Sequence, residues 1–143
     1  MPSSRPRRIL VVDDNVDAAQ ALQEHLELAG HQVIAANDPL TALEIAEQLV
    51  PEVCILDIEL PIMDGYELAG HLHDLPRVKG SVLVALTGYS HKYDRHRART
   101  AGFDHYLVKP VDFDQLARIV DAATSATGET SLSSRRSDAS GPE

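Results

Sequence analysis

Five short apolar runs separate segments with helical spacing, and this alternation restricts the fold of the chain more than any other feature. The runs cover residues 8–12, 32–35, 53–56, 82–86 and 105–108. Apolar runs of this length between helical segments are typical of βαβ units, in which the strands are parallel. We therefore predict an α/β fold with five strands and five helices over residues 7–124.

Local signals predict where the helices between these runs begin and end. The predicted helices cover residues 16–29, 39–50, 66–75, 90–101 and 113–123. Asp38 before Pro39 favours a helix start, whereas Gly30 and Gly102 favour helix ends. The side chains predicted to face the core are Ala18, Ala21, Leu22, His25, Leu26 and Ala29 in the first helix and Leu40, Leu43, Ile45, Ala46 and Leu49 in the second. The fourth helix has a thin apolar stripe, so we expect weak anchoring there.

Composition narrows the range of functions. The formal net charge of −9 argues against unaided binding to nucleic acid. We interpret two basic stretches as solvated surface; they contain Arg5, Arg7 and Arg8, and Lys92, Arg95, Arg97 and Arg99. No apolar segment reaches the roughly 18 residues of a membrane-spanning helix, and no secretory signal is visible. We therefore expect a soluble cytoplasmic protein without a membrane partner.

The length of 143 residues fits a single domain, and we expect both ends of the chain to lie outside it. Residues 1–6 are predicted to form a flexible N-terminal segment. Residues 125–143 are rich in Ser, Thr and charge, so we predict a disordered tail or linker there.

Polar residues with useful chemistry follow four of the five apolar runs. Asp13 and Asp14 follow the first run, Asp57 the third, Thr87 the fourth and Lys109 the fifth. Because right-handed crossovers make the strands parallel, their carboxyl ends share one edge of the sheet, where ligands of α/β proteins bind. In a doubly wound sheet of order 2-1-3-4-5, the first and third strands are neighbours. We therefore predict that the three carboxylates lie within a few ångströms of one another.

This set of groups indicates phosphoryl chemistry with a divalent ion. Three close carboxylates repel one another unless a cation is bound, and Mg²⁺ accepts carboxylates together with water and phosphate oxygens. The hydroxyl of Thr87 and the ammonium of Lys109 suit the oxygens of a phosphoryl group. No Ser, Cys or His stands at a strand end, and Cys54 lies inside an apolar run where we expect burial. The predicted nucleophile is therefore a carboxylate, with Asp57 as acceptor and an aspartyl phosphate as product.

The sequence also resembles the receiver domains of bacterial two-component response regulators over residues 7–124. The matching segments are Ile9–Asn15, Leu56–Gly65, Leu86–Tyr89 and Tyr106–Pro110. The resemblance implies a flavodoxin-like (βα)5 fold with strand order 2-1-3-4-5, an order that chemotaxis receivers have. It is strongest to receivers of hybrid sensor kinases and to stand-alone regulators.

The resemblance implies a role for each residue of the site. Asp57 would be the phosphoacceptor, Asp14 a direct Mg²⁺ ligand and Asp13 a ligand acting largely through water. The backbone carbonyl of Glu59 would complete the metal site, and Lys109 would pair with the phosphoryl group. Thr87 would bind the phosphoryl group and Tyr106 would turn inward in response, while a cis bond before Pro110 would aim Lys109 at the pocket.

The implied partner is a histidine kinase or a histidine phosphotransfer protein that donates the phosphoryl group. The surface of the fourth helix, fifth strand and fifth helix would then switch for partner binding, in a monomer or a weak phosphorylation-dependent dimer. On this interpretation the chain is a signalling module and not an enzyme. Two alternatives stay open: a Mg²⁺-dependent phosphatase of the haloacid-dehalogenase type, and a degenerate receiver that acts only as a docking platform.

Overall fold

Five strands and five helices alternate along the part of the chain that the computed structural model describes, residues 6–88 and 94–123. The elements are β1 (Arg8–Val12), α1 (Val16–Leu28), β2 (Gln32–Ala36), α2 (Pro39–Leu49), β3 (Val53–Asp57), α3 (Gly65–Asp74), β4 (Val82–Thr87), α4 (Arg95–Ala101), β5 (His105–Val108) and α5 (Phe113–Ala122). The predicted elements are confirmed, with bounds that differ by about one residue where both ends are described. The predicted start of α4 at Ser90 and the predicted end segments fall outside the described residues, apart from Pro6.

The strands form one parallel sheet in the order β2-β1-β3-β4-β5. The predicted fold class and strand order are therefore confirmed. The pairing places the strand ends side by side: Val12 pairs with Leu56, Asp57 with Leu86, and Thr87 with Val108. The polar residues at these ends consequently lie along one edge.

The sheet buries a core on each of its faces, because successive strand residues point to opposite sides. Ile9 and Val11 face the layer of α1 and α5, where they pack in one cluster with Leu22 and Leu116. Leu10 and Val12 belong to the opposite cluster with α2, α3 and α4. Cys54 is fully buried in that second cluster, and burial raises the pKa of its thiol to about 12. This thiol therefore stays neutral, as expected for a structural cysteine.

Two helices bury a stripe that matches the predicted one only in part, at Leu22 and Leu26 and at Ala46 and Leu49. In α1 the buried residues are Ala19, Leu22 and Leu26, whereas Ala21 and Ala29 are exposed and Ala18 is half-buried. In α2 the buried residues are Pro39, Ala42, Ala46 and Leu49, and Leu40 is 58% exposed. Both observed stripes follow three- and four-residue spacing, and both place small alanines against the sheet. The prediction for Leu40 was wrong because size alone does not decide which side of a helix faces a sheet.

Arg7 and Arg8 connect the first strand to the ends of two helices. The guanidinium of Arg7 donates to the carbonyl oxygens of Val120 (3.2 Å) and Asp121 (2.8 Å) in the last turn of α5. Arg8 points to the other face, where its Nε donates to the carbonyl of Val50 (3.0 Å) after α2. A cation stabilises the free carbonyls at a helix C-terminus. The interpretation of Arg7 as solvated surface was wrong, since Arg7 is only 2% exposed.

Every helix in residues 6–88 and 94–123 is too short or too polar to cross a lipid bilayer. The cytoplasmic location inferred from the sequence stays a prediction.

We expect Arg7→Met to destabilise the domain more than Arg8→Met. Loss of the buried Arg7 guanidinium leaves the Val120 and Asp121 carbonyls with fewer donors, which costs about 1–3 kcal/mol. The same change at the exposed Arg8 should cost less than about 1 kcal/mol. Urea unfolding of both variants measures the difference. An equal loss of unfolding free energy in the two variants would show that Arg7 contributes no more to stability than a surface contact does.

Candidate functional site

Three carboxylates meet at the carboxyl edge of the sheet, as predicted. Carboxylate oxygens of Asp13, Asp14 and Asp57 all lie within 4.8 Å of one another. The neighbouring ends of β1 and β3 supply all three, and the backbone N–H of Asp13 donates to the carbonyl of Ala36 at the end of β2 (3.1 Å). Strand pairing therefore fixes the positions of Asp13 and Asp57.

Lys109 brings a positive charge into this cluster. Its Nζ donates to Oδ2 of Asp13 at 3.1 Å and lies 3.4 Å from Oδ2 of Asp57. The backbone N–H of Lys109 donates to the carbonyl of Thr87 (2.8 Å), which continues the pairing of β5 with β4. The Lys109–Pro110 peptide bond is cis, as the resemblance implied.

Burial and charge oppose each other at Asp57. Asp57 is 5% exposed and Asp13 is 1% exposed, whereas Asp14 faces solvent. Burial, together with the charge of Asp13, raises the pKa of Asp57 to about 6, although a hydrogen bond from the Glu59 backbone N–H (2.9 Å) and the charge of Lys109 favour the ionised form. Burial also disfavours the charged form of Lys109, but its bond to Asp13 and the charges of both carboxylates raise the pKa of Lys109 overall. Lys109 therefore stays cationic.

The donor set fits Mg²⁺. Three carboxylates face one ammonium, so the pocket retains excess negative charge that a divalent cation would balance. The ligand atoms are hard oxygens, and the cluster is open to solvent on the side of Asp14. Such a site suits Mg²⁺, which keeps several of its water ligands. Among the His, Cys, Asp and Glu side chains of residues 6–88 and 94–123, only this group could hold a metal ion. The described histidines thus provide no competing site.

The two residues assigned to the switch lie on adjacent strands. Thr87 is fully buried at the end of β4, next to Lys109 through the backbone hydrogen bond. Tyr106 in β5 is 37% exposed and lines a surface cleft of about 220 Å³ with Arg95, Arg99 and Phe103. The guanidinium of Arg95 lies 6.0 Å from the centre of the Tyr106 ring. Tyr106 therefore contributes to the outer surface between α4 and β5.

Comparison with known proteins identifies the family. The model of the response regulator receiver domain matches residues 9–121. The chain belongs to the response-regulator receiver family. It is 40% identical over 112 residues to an uncharacterized 14.6 kDa protein in the sodA1 3′ region of Leptolyngbya boryana, covering 78% of this chain and 86% of that protein.

Two further relatives show the range of proteins that contain such a domain. The receiver is 35% identical to the transcriptional regulatory protein PrrA of Mycobacterium leprae over 94% of this chain, but spans only 57% of PrrA. The solved receiver domain of a signal transduction histidine kinase from Syntrophus aciditrophicus superposes with a TM-score of 0.77 at 29% identity, covering 87% of this chain and 95% of that one. The architecture around the receiver therefore differs among its relatives.

Two asparagines of the receiver pocket were missed by the sequence reasoning. The Asn37 side chain donates from Nδ2 to the backbone carbonyl of Asp13 (3.0 Å), and the Asn15 backbone N–H donates to Oδ1 of Asp13 (3.0 Å). Asn15 also caps α1 by accepting from the Ala18 N–H. The signal for Asn37 was available, because Asn37 follows Ala36 in the same way that Asp57 follows Leu56, and both Ala36 and Leu56 pair with Val12.

Gly65 lets α3 start directly against the candidate phosphoacceptor. A Cβ atom on Gly65 would lie 2.5 Å from the carbonyl oxygen of Asp57 and 2.7 Å from Cα of Ile58. The Gly65 N–H donates to the Ile58 carbonyl at 2.9 Å, which holds this close approach. The requirement for glycine is therefore steric and comes from the backbone of β3.

We expect Gly65→Ala to destabilise the receiver by more than about 2 kcal/mol, since backbone atoms must shift to admit the new methyl group. Gly70→Ala is the matched control in the same helix. A Cβ there meets nothing within 4 Å, and alanine favours a helix interior by up to about 1 kcal/mol. Urea unfolding should therefore show opposite signs for the two variants. A neutral Gly65→Ala would mean that the helix start tolerates displacement.

In the metal-free receiver, we expect Asp57→Asn to raise the free energy of unfolding at neutral pH. The pKa of Asp57 is about 6 in the folded state against an ordinary value of 3.8, so ionisation destabilises the fold as the pH rises through 6. A neutral side chain avoids this cost, which is about 1–3 kcal/mol at pH 7.5. The gain should disappear towards pH 4.

Unfolding curves in a chelator at several pH values measure this effect. Asp14→Asn, at the exposed side of the cluster, is the control and should have a smaller effect. A gain that is independent of pH would contradict the assignment to ionisation of Asp57.

Proposed function

We propose that Asp57 is the residue of this receiver that accepts a phosphoryl group from a phosphohistidine of a histidine kinase or a histidine phosphotransfer protein. The observation that carries this assignment is the position of its two oxygens. Oδ1 accepts from the Glu59 N–H, and Oδ2 lies 3.4 Å from the Lys109 ammonium, next to the other two carboxylates. Asp13 is bonded to Lys109 more closely, and Asp14 is exposed. Asp57 thus contacts the Lys109 ammonium while it lies beside the two other carboxylates.

In the proposed transfer, a carboxylate oxygen of Asp57 forms a bond to phosphorus while the bond from phosphorus to the donor's imidazole nitrogen breaks. The electron pair of that bond leaves with the imidazole. The Lys109 ammonium pairs with the phosphoryl oxygens, and the Thr87 hydroxyl donates to one of them. In the resting receiver, the ammonium instead offsets the repulsion between Asp13 and Asp57.

Asp13, Asp14, Asp57 and the backbone carbonyl of Glu59 would hold Mg²⁺, with Asp13 acting largely through water. The ion would neutralise charge on the phosphoryl oxygens during transfer.

We further propose that phosphorylation switches the surface formed by α4, β5 and α5. Thr87 ends the strand next to β5, and its carbonyl already accepts from Lys109 (2.8 Å). A new bond from Thr87 to the phosphoryl group would draw this corner inward and leave room for Tyr106 to follow. The downstream protein would then bind the altered surface, in a monomer or a weak phosphorylation-dependent dimer. The signal domain is proposed to cover residues 7–124, in a stand-alone regulator or a hybrid kinase.

The position of Asp57 favours a signalling module over a phosphatase. A phosphatase of the haloacid-dehalogenase type has its nucleophile after the first strand and a second aspartate two residues later. Here the candidate acceptor ends β3, and Glu59 lies two residues on. We therefore propose phosphotransfer to the receiver itself and autodephosphorylation, without turnover of organic phosphates. Steady multiple-turnover hydrolysis of such a compound would contradict this.

The proposal predicts a specific response to fluoroberyllate, which mimics an aspartyl phosphate. With Mg²⁺ present, amide NMR signals should shift from Thr87 to Tyr106 in the wild type and not in Asp57→Asn. Transfer from a phosphorylated histidine kinase should likewise label the wild type and leave Asp57→Asn unlabelled. A receiver with no response in either assay would instead be a docking platform, and partner binding would then be independent of Asp57.

A further inference from the structure

The first turn of α4 is attached to the start of α3 by three contacts. Nη2 of Arg97 donates to Oδ2 of Asp64 at 3.2 Å, and the Arg97 guanidinium lies 4.3 Å from the centre of the Tyr66 ring. The Tyr66 hydroxyl accepts a hydrogen bond from the backbone N–H of Asp94 at 2.6 Å. We call Asp64, Tyr66, Asp94 and Arg97 the α3–α4 clamp. None of these contacts passes through the acidic pocket.

The α3 side of the clamp is fixed. Asp64 is the N-cap of α3 and accepts from the Glu67 N–H at 2.9 Å. The next residue, Gly65, lies against the backbone of Asp57 and Ile58 at the end of β3. Tyr66 is 5% exposed and packs edge-on against Phe103, with 6.2 Å between ring centres. The start of α3 therefore cannot move without disturbing the central strand.

Among the described residues, the α4 side of the clamp has few other contacts, one of which is the approach of Arg95 to the Tyr106 ring at 6.0 Å. The helix has seven residues, and Ala98 is its one buried residue. Asp94 caps it by accepting from the N–H groups of His96 (3.0 Å) and Arg97 (3.1 Å). Because Asp94 and Arg97 both contact α3, the clamp holds the first turn of α4 in its present position.

From these contacts we infer that the α3–α4 clamp restrains the switch, and that Arg97 is the positioning residue that sets how readily α4 moves. This rests on the proposed function, in which phosphorylation displaces the surface that includes α4. A contact made in the resting conformation and broken in the switched one favours the resting state by its own free energy. Weakening the clamp should therefore make the switch easier to trigger, with no change in the pocket.

The expected size of the change in the midpoint follows from the solvent exposure of Arg97 and Asp64. The side chains of Arg97 and Asp64 are 53% and 38% exposed, so each contact is modest. An exposed ion pair together with a cation–π contact corresponds to a change of about two- to fivefold in a two-state equilibrium. The midpoint of a fluoroberyllate titration at saturating Mg²⁺ should fall by that factor when the clamp is weakened.

Three substitutions distinguish the loss of the clamp contacts from a long-range electrostatic effect on binding of the probe. Arg97→Gln removes a positive charge, Asp64→Asn removes a negative charge while asparagine still caps the helix, and Tyr66→Phe changes no charge. A field effect on the anionic probe would move the first two midpoints in opposite directions. Loss of the clamp should lower all three midpoints. Lys79→Gln, an exposed site beyond α3 with the same charge change as Arg97→Gln, should leave the midpoint unchanged.

The titration should be followed by the amide signals of Thr87 and of residues 95–101, after the spectra confirm that each variant is folded. Midpoints that fall for all three variants, with larger shifts in α4, would support the clamp. Opposite changes for Arg97→Gln and Asp64→Asn, or unchanged midpoints, would overturn it and leave the proposed function intact. A wild type that does not respond to fluoroberyllate would overturn the proposed function and this inference with it.

Discussion

The structure of the site depends on one electrostatic constraint: two buried carboxylates share a single ammonium. Asp13 and Asp57 are nearly inaccessible, and Lys109 contacts both. Burial, together with the charge of Asp13, raises the pKa of Asp57 to about 6 in the metal-free state. The repulsion between the carboxylates would also favour a divalent cation in the pocket. Burying these charges is therefore costly for the fold as long as no cation is bound.

The sheet explains how the fold can tolerate this pocket. Both faces are closed by helices, and the ends of two of these helices are held at the opposite edge by Arg7 and Arg8. Since adjacent residues of a strand point to opposite faces, two consecutive arginines reach one helix in each layer. The cations at the amino edge thus stabilise the scaffold, and the anions at the carboxyl edge are the groups to which we assign the chemistry. The two groups of charged residues lie at opposite ends of β1.

Much of this arrangement could be predicted from the sequence, because strands and their ends are local signals. Asp57 ends a run of buried aliphatic residues, and once the strands are parallel its neighbours follow from topology. The predictions for Leu40 and Arg7 were wrong because burial depends on partners far along the chain. Arg7, for example, contacts α5 more than 110 residues later. Gly65 is visible in the sequence, but the reason why glycine is required there is not. That reason, the close approach of the Asp57 backbone, appears only in the three-dimensional structure. Asn37 could have been found by applying the strand-end rule to all five strands.

The same reasoning distinguishes rigid from movable parts of the receiver. Asp57 and the start of α3 are joined through Ile58 and Gly65, so they form one unit with the central strand. The start of α4 is joined to that unit by the partly exposed ion pair of Arg97 with Asp64, and by one hydrogen bond from the Asp94 backbone N–H to the Tyr66 hydroxyl. On the proposed function, contacts of this kind would be weak enough to be broken after a charge is added at Asp57 and strong enough to hold the resting position without it. A signalling surface needs both properties, and the junction of α3 and α4 would combine them through Arg97.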